Sequence, residues 1–172
     1  MECMEAIKER RSIRRFKSKA IGKEMVDTLL SAAQMAPSAG NLQARDFIII
    51  TYDTTKQKLA NAAVGQTFIE KAPLVIVAVA NLERSSRKYG SRGTLYAIED
   101  TSAGIMNLLL CAHSMGLATC WIGAFDERAL NEILKLPPKT IPIAIIPVGY
   151  PDERPATPVR MGIDKVVHRE TW

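Results

Sequence analysis

Leu74-Val75-Ile76-Val77-Ala78-Val79-Ala80 is an unbroken apolar run, bounded by Pro73 on one side and by Asn81 on the other. Its length suits a buried strand and falls far short of the roughly 20 residues needed to span a bilayer. A strand apolar at every position has to be covered on both faces, so the run predicts a sheet with helices above and below it. Downstream, Thr94 to Met115 predicts the longest helix, with Leu95, Ile98, Ile105, Leu109 and Ala112 on one face and Met106 and Leu108 on others; a helix this apolar belongs in the centre. Gly116 ends it, Leu117 to Ile122 reads as a further strand, Glu127 to Leu134 as a helix and Ile141 to Tyr150 as a fourth strand. Because proline donates no ladder hydrogen bond, Pro142 and Pro147 predict that this fourth strand lies at an edge or bulges at Pro147.

Upstream, Phe47 to Tyr52 reads as a strand and Thr54 to Ala63 as a helix. Met25, Leu29, Ala32 and Ala36 recur at helical spacing from about Lys23 to Met35, and Pro37 stops them, making Pro37 to Asn41 a turn. Met4, Ile7 and Arg11 predict a short first helix that gives way near Ser12 to an extended basic segment ending at Phe16. Leu82 to Thr94, rich in Arg, Lys, Ser and Gly, reads as a solvated loop, the alternative being that Tyr89 and Arg92 contact an anionic substrate. Seven of the nine prolines lie between Pro137 and Pro158, and Asp164 to His168 is strand-like or a short helix. We read residues 1–172 as one domain, with 152–172 an arm reaching to a second copy of the chain.

The chain has 172 residues, 47% hydrophobic and 24% charged, which places it among globular domains. No stretch is long enough for a transmembrane helix and no secretory signal is visible, so the expected location is cytoplasmic. Cys3, Cys111 and Cys120 have no metal-ligand spacing and read as reduced thiols; no metal site is expected. The net charge of +5 is modest, but Lys8, Arg10, Arg11, Arg14, Arg15, Lys17 and Lys19 crowd the first nineteen residues. That focus predicts a negative ligand.

Catalytic side chains are scarce. The two histidines, His113 and His168, lack a partner nucleophile, and no G-x-S-x-G, H-E-x-x-H, P-loop or G-x-G-x-x-G occurs. Glu99 and Asp100 are adjacent and face different directions, which suits ion pairing or capping better than acid/base catalysis. Any reactivity therefore has to come from a cofactor, with no catalytic side chain of the protein's own.

Three segments carry positive signals. Arg10-Arg11-Ser12-Ile13-Arg14 combines forked guanidinium donors with a hydroxyl, a set able to grip phosphate, although a solvated basic face has the same composition. Pro37-Ser38-Ala39-Gly40-Asn41 offers close approach and two hydrogen-bonding side chains, or simply caps a helix. Trp121-Ile122-Gly123-Ala124-Phe125-Asp126 joins a strand end to a helix start, where backbone N–H groups are free to meet an electron-rich atom.

In order along the chain, R-R-S-x-R at Arg10 to Arg14, A-P-S-x-x-N-x-Q at Ala36 to Gln43, Gly65-Gln66 with Ala72-Pro73, G-L-x-x-x-W-I-G-x-F at Gly116 to Phe125, Pro-Val-Gly-Tyr-Pro at 147–151 and the tail from Arg160 to Trp172 resemble the nitroreductase family of FMN-dependent oxidoreductases. The likeness covers nearly the whole chain. It implies an α+β, three-layer α/β/α fold with a mainly antiparallel central sheet, in an intertwined homodimer that binds FMN at the subunit interface. By the same resemblance, Arg10, Ser12 and Arg160 hold the phosphate and ribityl chain with Arg11 beside them, and Arg14 lies near the N1 and O2 edge of the flavin as its electrostatic tuner. Pro37, Ser38 and Asn41 come from the partner subunit, Gln66 faces the pyrimidine edge, and the backbone N–H groups of Ile122 and Gly123 meet the ring near N5. After Gln43 the family often continues with proline and an aromatic residue; here Ala44-Arg45-Asp46 puts charge in that place and implies a different substrate mouth.

The activity implied is ping-pong transfer of hydride from NADH or NADPH through flavin to a small-molecule acceptor: a nitroaromatic, a quinone or an activated alkene. The alternatives are a non-catalytic FMN-binding protein of the same fold and, less directly, a flavin-cleaving relative. A nucleic-acid-binding module suits the arginines but not the aromatic content of 6%, so neither nucleic acid nor membrane is expected as a partner.

Overall fold

The computed structural model describes all 172 residues. Seven α-helices and four strands follow in the order α1 (Cys3–Glu9), α2 (Lys23–Gln34), β1 (Arg45–Ile50), α3 (Asp53–Ala62), α4 (Phe68–Lys71), β2 (Leu74–Asn81), α5 (Leu82–Tyr89), α6 (Gly93–Ser114), β3 (Ala118–Thr119), α7 (Glu127–Leu134) and β4 (Thr140–Gly149). The strands form one antiparallel sheet in the order β1-β2-β4-β3.

Strand alternation divides the apolar run of β2 between two cores. Leu74, Ile76 and Ala78, with Ala144, Ile146 and Val148 of β4, face α2 and α6 through Leu29, Ala33, Ile105 and Leu108. Val75, Val77 and Val79, with Ile145, face α3, α4 and α7 through Leu59, Ile69 and Leu130. The three-layer α/β/α arrangement expected from Leu74 to Ala80 is what the chain adopts, and α6 runs through the first core as its longest helix.

The placement of the fourth strand corrects the edge expectation, because β4 lies between β2 and β3. Two features of its neighbours accommodate its prolines. The register shift falls between Ala78↔Ala144 and Val79↔Pro142, which puts the bulge beside Pro142, in the part of β4 that β3 does not reach. Pro147 has a partner on the β2 side in Val75, while on the other side Ala118↔Gly149, Thr119↔Val148 and Ile122↔Ile145 share one register that is interrupted opposite Pro147. A missing donor there cuts the predicted strand Leu117 to Ile122 down to Ala118–Thr119 and an isolated bridge at Ile122.

Leu82 to Thr94 also differs from expectation: it contains α5 and a short 3-10 turn at Gly90–Arg92 instead of a loop. The Asn81 side chain accepts from the N–H of Arg84 and starts that helix, a capping signal concealed by the polar composition of the segment.

Candidate functional site

The basic segment is laid against the sheet by its backbone. Beyond α1 the chain is extended: Ile13 donates to the carbonyl of Thr119 at 3.0 Å, and Lys17 to that of Tyr150 at 2.9 Å. Phe16 bridges to Pro151, and Asp152 donates to Arg15 at 2.9 Å. Ile13 is buried and anchors the segment, so Ser12 and Arg14 on either side of it turn outward.

Arg10, Arg11, His113, Thr119, Glu153 and Thr157 contribute to the wall of a cavity of about 480 Å³. Arg160 approaches from the tail. Burial, then the charges of Arg160 and Arg11, push the Arg10 guanidinium below the ordinary arginine range, so three cations meet with little to offset them. The chain has five ion pairs, and none includes Arg10, Arg11, Arg14 or Arg160. Glu9 and Glu153 are the carboxylates on the same wall, and Glu153 accepts the backbone N–H groups of Arg14 and Arg15 at 2.5 and 3.1 Å. Arg11 spends its fork on the carbonyls of Lys8 and Arg10 and on the Thr157 hydroxyl, acting as a tie between segment and tail.

Arg14 extends from this cluster toward α4, its guanidinium carbon 5.8 Å from the centre of the Phe68 ring. Gln66 lies two residues before Phe68, after two left-handed residues, Val64 and Gly65. Its amide nitrogen donates to the Ala63 carbonyl at 2.9 Å, leaving its oxygen as an acceptor. Cys120 is close by, its thiol raised by burial and pulled partly back by Arg14, the Ser12 hydroxyl and Arg10.

Ile122 needs correction. Its N–H donates to Ile145 at 3.0 Å and its side chain is buried in the second core, so it has no free amide for a ligand. The N–H of Gly123 has no partner in the chain, as is true of those of Trp121, Ala124 and Phe125, and Gly123 is exposed.

Pro37, Ser38 and Asn41 lie in the opposite helical layer. Gly40 and Asn41 are both left-handed, with φ of 57° and 56°, a geometry that glycine and asparagine tolerate best. Asp100 of α6 accepts from the N–H groups of Ala39 and Ala44 at 2.9 and 3.3 Å. Arg45, only 3% exposed, threads beneath the loop and donates to the carbonyls of Gln34, Ala36, Pro37 and Asp100. The charge expected at a substrate mouth is thus an internal staple. No hydrogen bond or ion pair joins this loop to Arg10, Ser12, Arg14, Gln66 or Arg160.

The family model described as "Nitroreductase family" matches residues 7–68 and 56–150. The chain belongs to the nitroreductase family. A Bacillus subtilis protein named FMN reductase [NAD(P)H] is 28% identical, with 99% of this chain and 74% of that protein aligned. A Thermus thermophilus NADH dehydrogenase is 27% identical over 97% of this chain and 95% of its own length. Among solved structures, the NADPH:FMN oxidoreductase from Vibrio harveyi complexed with NAD+ superimposes with a TM-score of 0.92 at 28% identity, covering 99% of this chain and 77% of that one.

In this nitroreductase, sequence reasoning missed two groups that shape the site. Glu153 and Thr157 hold the tail to the basic segment, and no local pattern marks either of them. Asp100 was legible only as a capping or pairing residue, and it does cap, but the N–H groups it satisfies lie some sixty positions earlier in the chain. No helix of the chain is long and apolar enough to cross a membrane.

Proposed function

We propose that this chain is an FMN-dependent oxidoreductase that takes electrons from NADH or NADPH and reduces a nitroaromatic, quinone or activated alkene. The observation that carries this reading is the cluster of Arg10, Arg11 and Arg160 beside a cavity and outside every ion pair, which has the chemistry of a seat for a phosphate dianion. The donor set fits FMN along its length. Arg10, Arg160 and the Ser12 hydroxyl would hold the phosphate end, Gln66 would offer an acceptor to the N–H edge of the flavin, and Gly123 would offer a backbone N–H to the ring near N5. When bound, FMN supplies reversible hydride transfer, accepting from the nicotinamide and passing on to the acceptor in ping-pong order.

Arg14 supplies a fixed positive charge that favours whichever redox form carries negative charge at the N1 and O2 edge. The buried Ile13 and the sheet contacts of its neighbours hold the backbone that carries Arg14, and its guanidinium lies over the Phe68 ring. Pro37, Ser38 and Asn41 complete the site from the partner subunit of a homodimer, which suits their isolation from Arg10 and Gln66 within one chain. The chain from Asp152 to Thr157 stays with its own basic segment, tied by hydrogen bonds to Arg14, Arg15 and Arg11, and it carries Arg160 to the side of Arg10. Beyond it Met161, Ile163, Val166, Val167 and Trp172 are exposed, apolar enough to seek cover on the second copy. The exchanged arm therefore begins near Met161 within a single domain.

The test is the visible spectrum of freshly purified protein, followed by oxidation of NADH or NADPH with menadione or nitrofurazone. Bound flavin and sustained turnover are expected. Colourless protein that takes up no FMN overturns the reading, and bound flavin that NAD(P)H never reduces selects the non-catalytic flavin-binding alternative.

A further inference from the structure

We propose that the end of α5 and the start of α6 form an anion-selecting rim, one that favours substrates carrying a phosphate or carboxylate beside a planar ring. The inference rests on the reading that Ser38 and Asn41 reach the partner's flavin, since the rim is built directly on their loop. A Cβ placed on Gly40 would meet the Tyr89 hydroxyl at 2.5 Å and the Lys88 ammonium at 2.7 Å, so these two groups lie against the loop backbone.

The cations of this region divide into two kinds. Arg84 is paired with Asp46 at 2.8 Å and donates to the carbonyls of Gln43 and Arg45, while Arg87 is paired with Glu83 at 3.1 Å. Lys88 and Arg92 take part in no ion pair, although Glu99 is near enough to be felt by Arg92. Both rest on aromatic rings: the Lys88 ammonium is 5.5 Å from the centre of Tyr89, and the Arg92 guanidinium 5.2 Å from that of Tyr96. Arg92 Nε also donates to the Tyr96 hydroxyl at 2.9 Å. The two tyrosine rings meet edge to face, 4.9 Å apart at 88°.

This assembly is held firmly from behind. A Cβ on Gly93 would come within 2.5 Å of the Ser86 Cα, so α5 and the start of α6 touch backbone to backbone. Two free cations on a fixed aromatic base, at the lip of a redox site, match a ligand with an anion next to a stackable ring. The adenosine 2′-phosphate of NADPH has that chemistry, and so does a carboxylated aromatic acceptor.

Calorimetry on the protein as purified distinguishes the two sources. Adenosine 2′,5′-bisphosphate is compared with AMP, and 4-nitrobenzoate with 4-nitrobenzamide, for wild type, Arg92→Gln and Lys88→Gln/Arg92→Gln. The expected result is that one charged probe of the two pairs binds about 10-fold more tightly than its counterpart, the low end for charge-assisted contacts at exposed side chains. That preference falls to within about 2-fold in the double variant and partway in Arg92→Gln, and added salt weakens it in wild type alone. Steady-state KM ratios, NADH against NADPH or benzamide against benzoate, then move with the same pair. Absence of any charge preference in wild type, or its persistence in the double variant, overturns the rim. Flavin content and NAD(P)H oxidation are read separately, so a colourless protein refutes the function while the charged-probe titration still decides the rim.

Discussion

Arg45 and Arg10 show two opposite uses of the same side chain. Arg45 is enclosed in the α2/α6 layer, with four backbone carbonyls on its fork and the Asp100 carboxylate nearby to ease the cost of its burial. Arg10 is half-buried beside the C-terminal end of α6, on a cavity wall it shares with His113, with Arg160 and Arg11 as its charged neighbours. A cation whose two terminal nitrogens are both directed at the chain's own carbonyls, as in Arg45 with only its Nε left unpartnered, is part of the architecture. A cation held among other cations at a cavity raises the free energy of the empty protein, and an arriving anion relieves it. The same contrast recurs on a smaller scale between Arg84 and Lys88.

The comparison breaks first at Arg45. Arg45→Ala strands several buried carbonyls and leaves Asp100 without the cation beside it, which should cost about 3 to 5 kcal/mol. For a domain of this size that lowers Tm by roughly 6 to 20 °C. Arg45→Lys should recover only part, because an ammonium cannot reproduce the fork. Thermal melts followed by circular dichroism measure both; a loss under about 1 kcal/mol for Arg45→Ala would show that the staple is dispensable.

Why Arg45 escapes a reading of the sequence is instructive. Its neighbours Ala44 and Asp46 give no hint of burial, and its partners are carbonyls from residues 34 to 37 and from Asp100, which no local window brings together. The same holds for Glu153 and Thr157. What was legible has a periodic or compositional signature: the continuous run Leu74 to Ala80, the all-round apolar α6, and the crowding of Arg10 to Arg14. Where the sequence misled, at β4 and Ile122, the cause was sheet pairing. A proline-bearing strand can be central if its neighbour's ladder breaks opposite the proline, and a backbone N–H is free only if no strand claims it.

The next largest effects belong to the phosphate seat. Arg10→Ala and Arg160→Ala should each weaken FMN binding about 10- to 150-fold, the equivalent of roughly 1.5 to 3 kcal/mol of charge-assisted contact. In the absence of ligand neither should destabilise the chain, because each removes a repulsive charge; apoprotein melts and fluorescence titrations with FMN separate the two quantities. A variant that loses Tm and keeps its affinity would move that arginine into Arg45's class. Arg14→Ala should leave affinity closer to wild type and lower the flavin midpoint potential by roughly 30 mV, about 1.4 kcal/mol for a two-electron couple. Spectroelectrochemistry tests this, and an unchanged midpoint with reduced affinity would put Arg14 with the phosphate group.

The smallest expected effect concerns His113, which faces the same cluster from the end of α6. Its Nε2 is buried without a partner, and burial, reinforced by Arg10 and Arg11 and opposed by Glu9 and Glu5, holds its pKa below the ordinary value of 6.5. A histidine depressed in the folded state binds its proton more readily when unfolded. The stability it contributes is therefore present above pH 6.5 and drains away as the pH falls through the folded-state value. His113→Gln should flatten this acid limb of the Tm profile without altering the plateau above neutrality. An anion in the seat changes the sign of the local field, so FMN or inorganic phosphate should raise the pKa of His113 and shrink the limb in wild type. Proton NMR of the imidazole, with and without phosphate, follows the shift directly. If the His113 resonance titrates at or above 6.5 in the phosphate-free protein, the cations of Arg10 and Arg11 are being neutralised by something other than a ligand, and the contrast with Arg45 loses its electrostatic basis.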